Sequence, residues 1–231
     1  MSTQDEDFGP GLTPAILLGI LTLLLGMALG VASLVSQPVV PVSKVPEPGT
    51  LKSGTVYYAK GARLGRTAWE AKEEAWKAGT VSVLAVSEAE LNQWSQNRLD
   101  PSGPVGTEVE SGWTSKFNFT ALSVNFLILE DTLQIATELR MEGLFPNRSF
   151  VYIVRGKFES APDGSRFVPE KGTLGSAALG SVPSIRNLLF SRVASKYSAT
   201  GPAEWLPESM EKVDSVEIAD GKLILRRRAE G

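Results

Sequence analysis

The stretch KFNFTALSVNFLILEDTLQIATELRM, residues 116–141, decides the fold class. Its apolar residues alternate: Phe117, Phe119 and Ala121, then Val124, Phe126 and Ile128. A period of two marks a strand with one buried face. The change from odd to even positions predicts a bulge near Leu122-Ser123. Glu130-Asp131 make a turn, and Leu133, Ile135, Thr137 and Leu139 carry the alternation back. Residues 150–158 (FVYIVRGKF) and 166–175 (RFVPEKGTLG), joined through Ala161-Pro162-Asp163-Gly164-Ser165, repeat the plan. Consecutive alternating strands with short turns predict an antiparallel meander.

Moving toward the C-terminus, SIRNLLFSRVASKY (184–197) returns to helical spacing, with Ile185, Leu188, Leu189 and Val193 on one stripe and Pro183 in the first turn. KVDSVEIADGKLILRRR (212–228) reads as a hairpin about Asp220-Gly221. On the N-terminal side, ARLGRTAWEAKEEAWKA (62–78) is rich in helix formers and stops at Gly79. Trp69 and Trp76 share its core face, and Ala68, Ala71, Ala75 and Ala78 are expected to widen that face. Arg66, Glu70, Lys72, Glu73, Glu74 and Lys77 read as solvated. TVSVLAV (80–86) is a short strand leading into Ser87-Glu88-Ala89-Glu90, a capping box for the helix SEAELNQWSQNRL, with Leu91, Trp94 and Leu99 facing inward. Residues 100–112 read as a loop. The class is α+β: a curved antiparallel sheet packed with about three helices, in a single domain over 55–231.

Ahead of the domain stands TPAILLGILTLLLGMALGVASLVS, residues 13–36. Thr13 to Val35 carries no charge, and at 1.5 Å per residue it exceeds the ~30 Å of a bilayer's hydrocarbon. We expect a transmembrane helix at 13–36, a short polar tail at 1–12 and a stalk at 37–54 stiffened by Pro38, Pro41, Pro46 and Pro48. A cleaved signal peptide is the competing reading, with small residues at Ala28-Leu29-Gly30 and Gly30-Val31-Ala32. No basic side chain precedes the apolar run, as a signal peptide would want. Gly19, Gly26 and Gly30, with Ala15 and Thr22, form a small-residue stripe suited to helix pairing. Lys44 and Lys52 follow the span and favour a cytoplasmic domain. The layout of tail, span and Pro-rich spacer favours an extracytoplasmic domain in the cell envelope, and we take that side.

Composition narrows the chemistry. The chain has no His and no Cys, which removes imidazole and thiolate nucleophile activation and most zinc or copper sites. Residues 50–231 hold equal numbers of acidic and basic residues, so the basic footprint of a nucleic-acid binder is missing. Gly175-Ser-Ala-Ala-Leu-Gly180-Ser181 lacks the lysine of a phosphate loop. Glu73-Glu74, Glu88 with Glu90, and Glu130-Asp131 fall on helix surfaces and turns. Arg226-Arg227-Arg228 reads as a solvated terminus, although it could touch anionic headgroups. Asn118-Phe-Thr120 and Asn147-Arg-Ser149 fit the glycosylation sequon, the first inside a predicted strand. We expect no enzyme and no cofactor.

The capped helix Ser87-Glu-Ala-Glu-Leu-Asn92, the strands VNFLILEDTLQIATELRM, the turn APDGSRF, the bend GSVPSIRNLL and the final VDSVEIADGKLIL resemble bacterial membrane-anchored proteins of the YpmS type. More loosely they resemble tubular lipid-binding (TULIP-like) domains. The likeness covers residues 80–226. It implies an extracytoplasmic domain whose curved sheet and helix enclose an apolar groove for lipid or an acyl chain, and it carries over no residue role. If lipid binds, apolar side chains of the meander and the late helix, Phe126, Ile128, Ile135, Leu139, Leu188 and Leu189, are the expected contacts. The alternative is an assembly subunit of a membrane protein complex, self-associating through its span and offering a sheet edge.

Overall fold

The computed structural model describes residues 12–43, 47–62, 69–99, 118–142, 149–161, 164–180, 183–196 and 206–228. The expected loop at 100–112, the polar tail at 1–11, the helix start at 63–68 and the side chains of Phe117, Phe119, Ile185 and Leu188 lie outside the described residues. The meander is the five-stranded antiparallel sheet β4 (Asn118–Leu129), β5 (Thr132–Glu142), β6 (Ser149–Ala161), β7 (Gly164–Leu174) and β8 (Ala177–Ala178), with neighbours in that order. Its β4–β5 register slips between Ala121 and Ser123. Leu122 is therefore the extra residue that the odd-to-even change predicts.

Both faces of this sheet are covered. Leu139, Phe150, Tyr152 and Val154 are buried on one face with Val193 of α4 (Pro183–Lys196), and Leu189 and Phe190 pack beside them. Tyr152 Oη donates to the Arg186 carbonyl at 3.2 Å. Burial raises the Tyr152 pKa, the Arg186 charge only partly opposing it, so the phenol stays protonated. On the other face Ala136 and Val151 bury against Tyr58 of β2 (Val56–Ala59). β2 pairs in parallel with β1 (Val39–Val42), so part of the Pro-rich stretch is a strand laid on the domain.

The C-terminal hairpin does not extend the meander. β9 (Val213–Ala219) and β10 (Lys222–Arg227) join β3 (Val83–Ser87) in a separate antiparallel sheet ordered β3-β10-β9. Asp220 and Gly221 both have positive φ, 52° and 67°, as the tightest hairpin turn requires. The two sheets meet where the Val216 N–H donates to Ser165 Oγ at 2.8 Å. Against the smaller sheet pack α2 (Trp69–Lys77), α3 (Glu88–Arg98) and the short α5 (Leu206–Glu211).

α3 also seals the free edge of β4. Phe126 and Ile128 point their backbone groups away from β5, where an edge strand is left unpaired. Asn92 takes both groups of Phe126: its Oδ1 accepts the Phe126 N–H at 2.7 Å and its Nδ2 donates to the Phe126 carbonyl at 2.8 Å. Glu88 Oε2 accepts the Ile128 N–H at 2.9 Å. Gly61 closes the node by donating its N–H to Asn125 Oδ1 at 2.7 Å. A Cβ on Gly61 would fall 1.9 Å from the Phe126 oxygen, so only glycine fits there.

α1 (Leu12–Val35) runs for 24 residues, about 36 Å. Its segment Ile16–Val35 has a mean hydropathy of 2.4 and none of it is buried. One N-terminal helix is thus long and apolar enough to cross a membrane. Its last turn touches the domain: Ser176 donates both its N–H, at 3.3 Å, and its hydroxyl, at 3.0 Å, to the Leu34 carbonyl. This caps a carbonyl that a helix end leaves open. Gly175 lies alongside with φ +57°, and a Cβ there would come within 2.8 Å of the Val35 oxygen. Val35 packs against the main core cluster. Only Ser36, Gln37 and Pro38 separate the helix from β1.

Two expectations for α2 need correction. Its buried positions are Trp69, Glu73 and Trp76, a spacing of four and three that forms one stripe. Ala71 and Ala78 are exposed and do not widen the core face, Ala75 is half-buried, and Ala68 lies outside the described residues. Glu73, read as solvated, is 4% exposed. Its charge is carried inward because cationic side chains from two elements meet it there.

Candidate functional site

A cleft of about 240 Å³ opens between the three-stranded sheet and helices α2 and α3. Its floor is dictated by strand pairing. Leu223 lies opposite Val86, and Leu225 opposite both Leu84 and Val216. Alternation therefore puts all five side chains on the same face of the sheet, where they line the cleft. The walls are Trp69 and Trp76 from α2 and Leu91 and Trp94 from α3. Phe158, from the far end of β6, and Met210 of α5 complete the lining. The capping box fixes α3 at the strand's exit: Ser87 Oγ accepts the Glu90 N–H at 3.3 Å, and Glu90 Oε2 accepts the Ser87 N–H at 2.9 Å.

Two charged residues reach this lining, and both are engaged elsewhere. Lys72 donates at 2.8 Å to the Ala85 carbonyl and at 2.8 Å to Glu90 Oε2. Burial works to raise the Glu90 pKa. The hydrogen bond from Lys72, with those from Ser87, outweighs burial and holds the carboxyl below its usual range. Glu73 Oε2 accepts from Arg98 Nε at 3.1 Å and Nη2 at 2.8 Å. Lys77 Nζ stands 3.2 Å from Glu73 Oε1, near enough for an ion pair but without hydrogen-bond alignment. The Arg98 guanidinium lies 5.1 Å from the Trp69 ring centroid, and that of Arg227 lies 4.7 Å from Trp76 while also donating to the Trp76 carbonyl. These stacks hold the indoles in place from outside the cleft.

No family model, curated protein or solved structure matches this chain. The site is therefore argued from its own residues.

The residues expected to contact a ligand lie elsewhere. Ile135, Leu139 and Leu189 come together in the packed cluster between the five-stranded sheet and α4. Phe126 and Ile128 are half-buried on β4 beside α3. The side chain of Leu188 lies outside the described residues. None of the five that are described lines the cleft. Gly19, Gly26 and Gly30 lie on α1, and a Cβ added to any of them would meet nothing within 4 Å. Among the described residues no group of three or more acidic side chains is placed to hold a metal. The sequence did signal the cleft residues Trp69, Trp76, Leu91 and Trp94, as core positions. Their convergence with β3, β10 and Phe158 depends on pairings between distant segments.

Proposed function

We propose that this chain is a single-span membrane protein of the cell envelope, with a non-catalytic binding domain seated directly against the end of its span. The observation that carries this reading is the contact between Ser176 and Leu34, continued by Gly175 and Val35. An apolar helix with no protein around it, ending in a hydrogen-bonded contact with a folded domain, is suited to a bilayer below and an aqueous space above. The acidic tail without Lys or Arg supports retention of the span over its cleavage. Binding is favoured over catalysis because the domain has an apolar cleft and no His or Cys. Lipid or an acyl chain is the leading ligand class.

The test is alkaline carbonate extraction of membranes carrying the full chain, followed by intact mass measurement. Retention in the membrane at the mass of residues 1–231 is expected. A soluble product shortened at Gly30 or Ala32 would overturn the anchor. Protection of residues 50–231 from protease added to intact spheroplasts would overturn the extracytoplasmic side.

The second reading, assembly through the span, is favoured by the open surface at Gly19, Gly26 and Gly30. It predicts disulfide-linked dimers of a Gly26→Cys variant in membranes. Strand addition at this part of β4 is disfavoured, because Asn92 already takes both edge groups of Phe126 and Glu88 takes the N–H of Ile128.

A further inference from the structure

We infer that the cleft between α2, α3 and the three-stranded sheet is a binding site for an uncharged hydrocarbon group, a short chain or a ring system, arriving from solution. This rests on the binding reading above and narrows its ligand from lipid or an acyl chain to a short hydrocarbon group, and it does not depend on the membrane anchor.

The chemistry of the occupant follows from the walls. Leu84, Val86, Leu223 and Leu225 offer only hydrocarbon, and Trp69 and Trp94 add broad ring surface. Lys72 and Glu73, the charged residues of the lining, already hold Glu90 and Arg98. Little beyond Glu73 Oε1, which has no hydrogen-bond partner and faces Lys77 Nζ at 3.2 Å, is left to compensate a polar or charged group for the water it would lose. An apolar group suffers no such loss.

Size narrows the class further. At roughly 30 Å³ per water-sized group, 240 Å³ holds about eight such groups. That suits a fused ring or most of a ten-carbon alkyl chain, its polar end left at the mouth, and not the whole of a long acyl chain. The mouth lies at Met210, which alone among the lining residues is exposed, at 38%. A methionine there can adapt its shape to different entrants.

Position favours a source in solution. The span meets the domain at Gly175, just after Leu174, which pairs with Tyr152 on β6. Phe158, at the cleft, is farther along that strand by about 20 Å at ~3.3 Å per residue. The cleft is thus at the opposite end of the β6–β7 hairpin from the joint, away from lipids packed beside the span.

Photolabelling tests this. The full chain would be placed in phosphatidylcholine nanodiscs and irradiated with one of two probes, a diazirine-bearing decanol or a diazirine-bearing phosphatidylcholine. We expect the decanol to label peptides spanning 84–94 and 210–225 saturably, and the lipid probe to label α1 but not those peptides. Leu84→Trp, which fills the cleft, and Met210→Trp, which obstructs its mouth from an exposed position, should each reduce the decanol labelling at least tenfold. Circular dichroism would verify that both variants fold. Labelling that does not saturate, or that survives both substitutions in folded protein, overturns the site. Equal labelling of the cleft by the lipid probe overturns the solution source. Failure of the anchor would appear in carbonate extraction instead and would leave the decanol result unchanged.

Discussion

Replacing Asn92 with alanine tests whether α3 completes the main sheet as a surrogate strand. Asn92 is fully buried and bonds both backbone groups of Phe126. Its truncation leaves one N–H and one carbonyl without partners in a protein interior. Each orphaned group costs about 1–3 kcal/mol, and the better helix propensity of alanine returns up to about 0.7 kcal/mol. We expect a net loss of about 3 kcal/mol. For a domain of this size that lowers Tm by roughly 6–12 °C. The assay combines thermal unfolding of the full chain with hydrogen exchange read by mass spectrometry. Protection of the Phe126 amide should fall, while that of Ile128, held by Glu88, should change little. Asn97→Ala serves as the control, because Asn97 bonds only the Gln93 carbonyl on an exposed surface and should shift stability by less than about 0.5 kcal/mol. A loss below about 1 kcal/mol with unchanged exchange at Phe126 would refute the surrogate-strand account.

Other expectations follow from the same geometry. Glu73→Ala should destabilise the domain by about 2 kcal/mol in equilibrium denaturation, less than a fully buried pair would lose, because Arg98 is 27% exposed and can be hydrated once its partner is gone. Glu73→Gln should cost less, and equal losses for the two would count against the Arg98 pairing. Gly175→Val places a branched side chain at φ +57° against Leu34 and Val35; exchange should quicken across 174–178 while decanol labelling of the cleft persists, and unchanged exchange would argue against the joint. Because the Glu90 carboxyl is held below its ordinary value of 4.5 in the folded state, its stabilising contribution is present above that value and is lost as pH falls through the lower folded pKa. Glu90→Gln should flatten this acid limb, and an identical pH profile of Tm would exclude Glu90 as its source.

Local signals in the sequence were reliable. The alternation from Phe117 to Leu139 places β4, β5 and the bulge at Leu122, Asp220-Gly221 marks the last hairpin, and Ser87 with Glu90 forms the expected capping box. What local signals do not carry is which strands meet. β3 joins β10 across more than a hundred residues, and β1 joins β2 in parallel. Nothing in either segment names its partner. Two buried polar side chains were equally hidden. Glu73 sits in a run of mixed charge that looks solvated until Arg98 is brought to it from α3. Asn92 looks like any helix asparagine until the β4 edge arrives. The cleft falls in this second class, since its walls come from segments spread from residue 69 to residue 225.

The joint at Ser176 bears on how copies of the chain would face each other. A long flexible tether lets a domain swivel about its anchor. Here the last turn of α1 is fixed to the domain, and three residues lead straight into a paired strand. The azimuth of the helix and the azimuth of the domain are therefore one quantity. Two spans meeting along Gly19, Gly26 and Gly30 would set the angle between their two clefts, and a partner turning one helix about its axis would turn the mouth at Met210 with it.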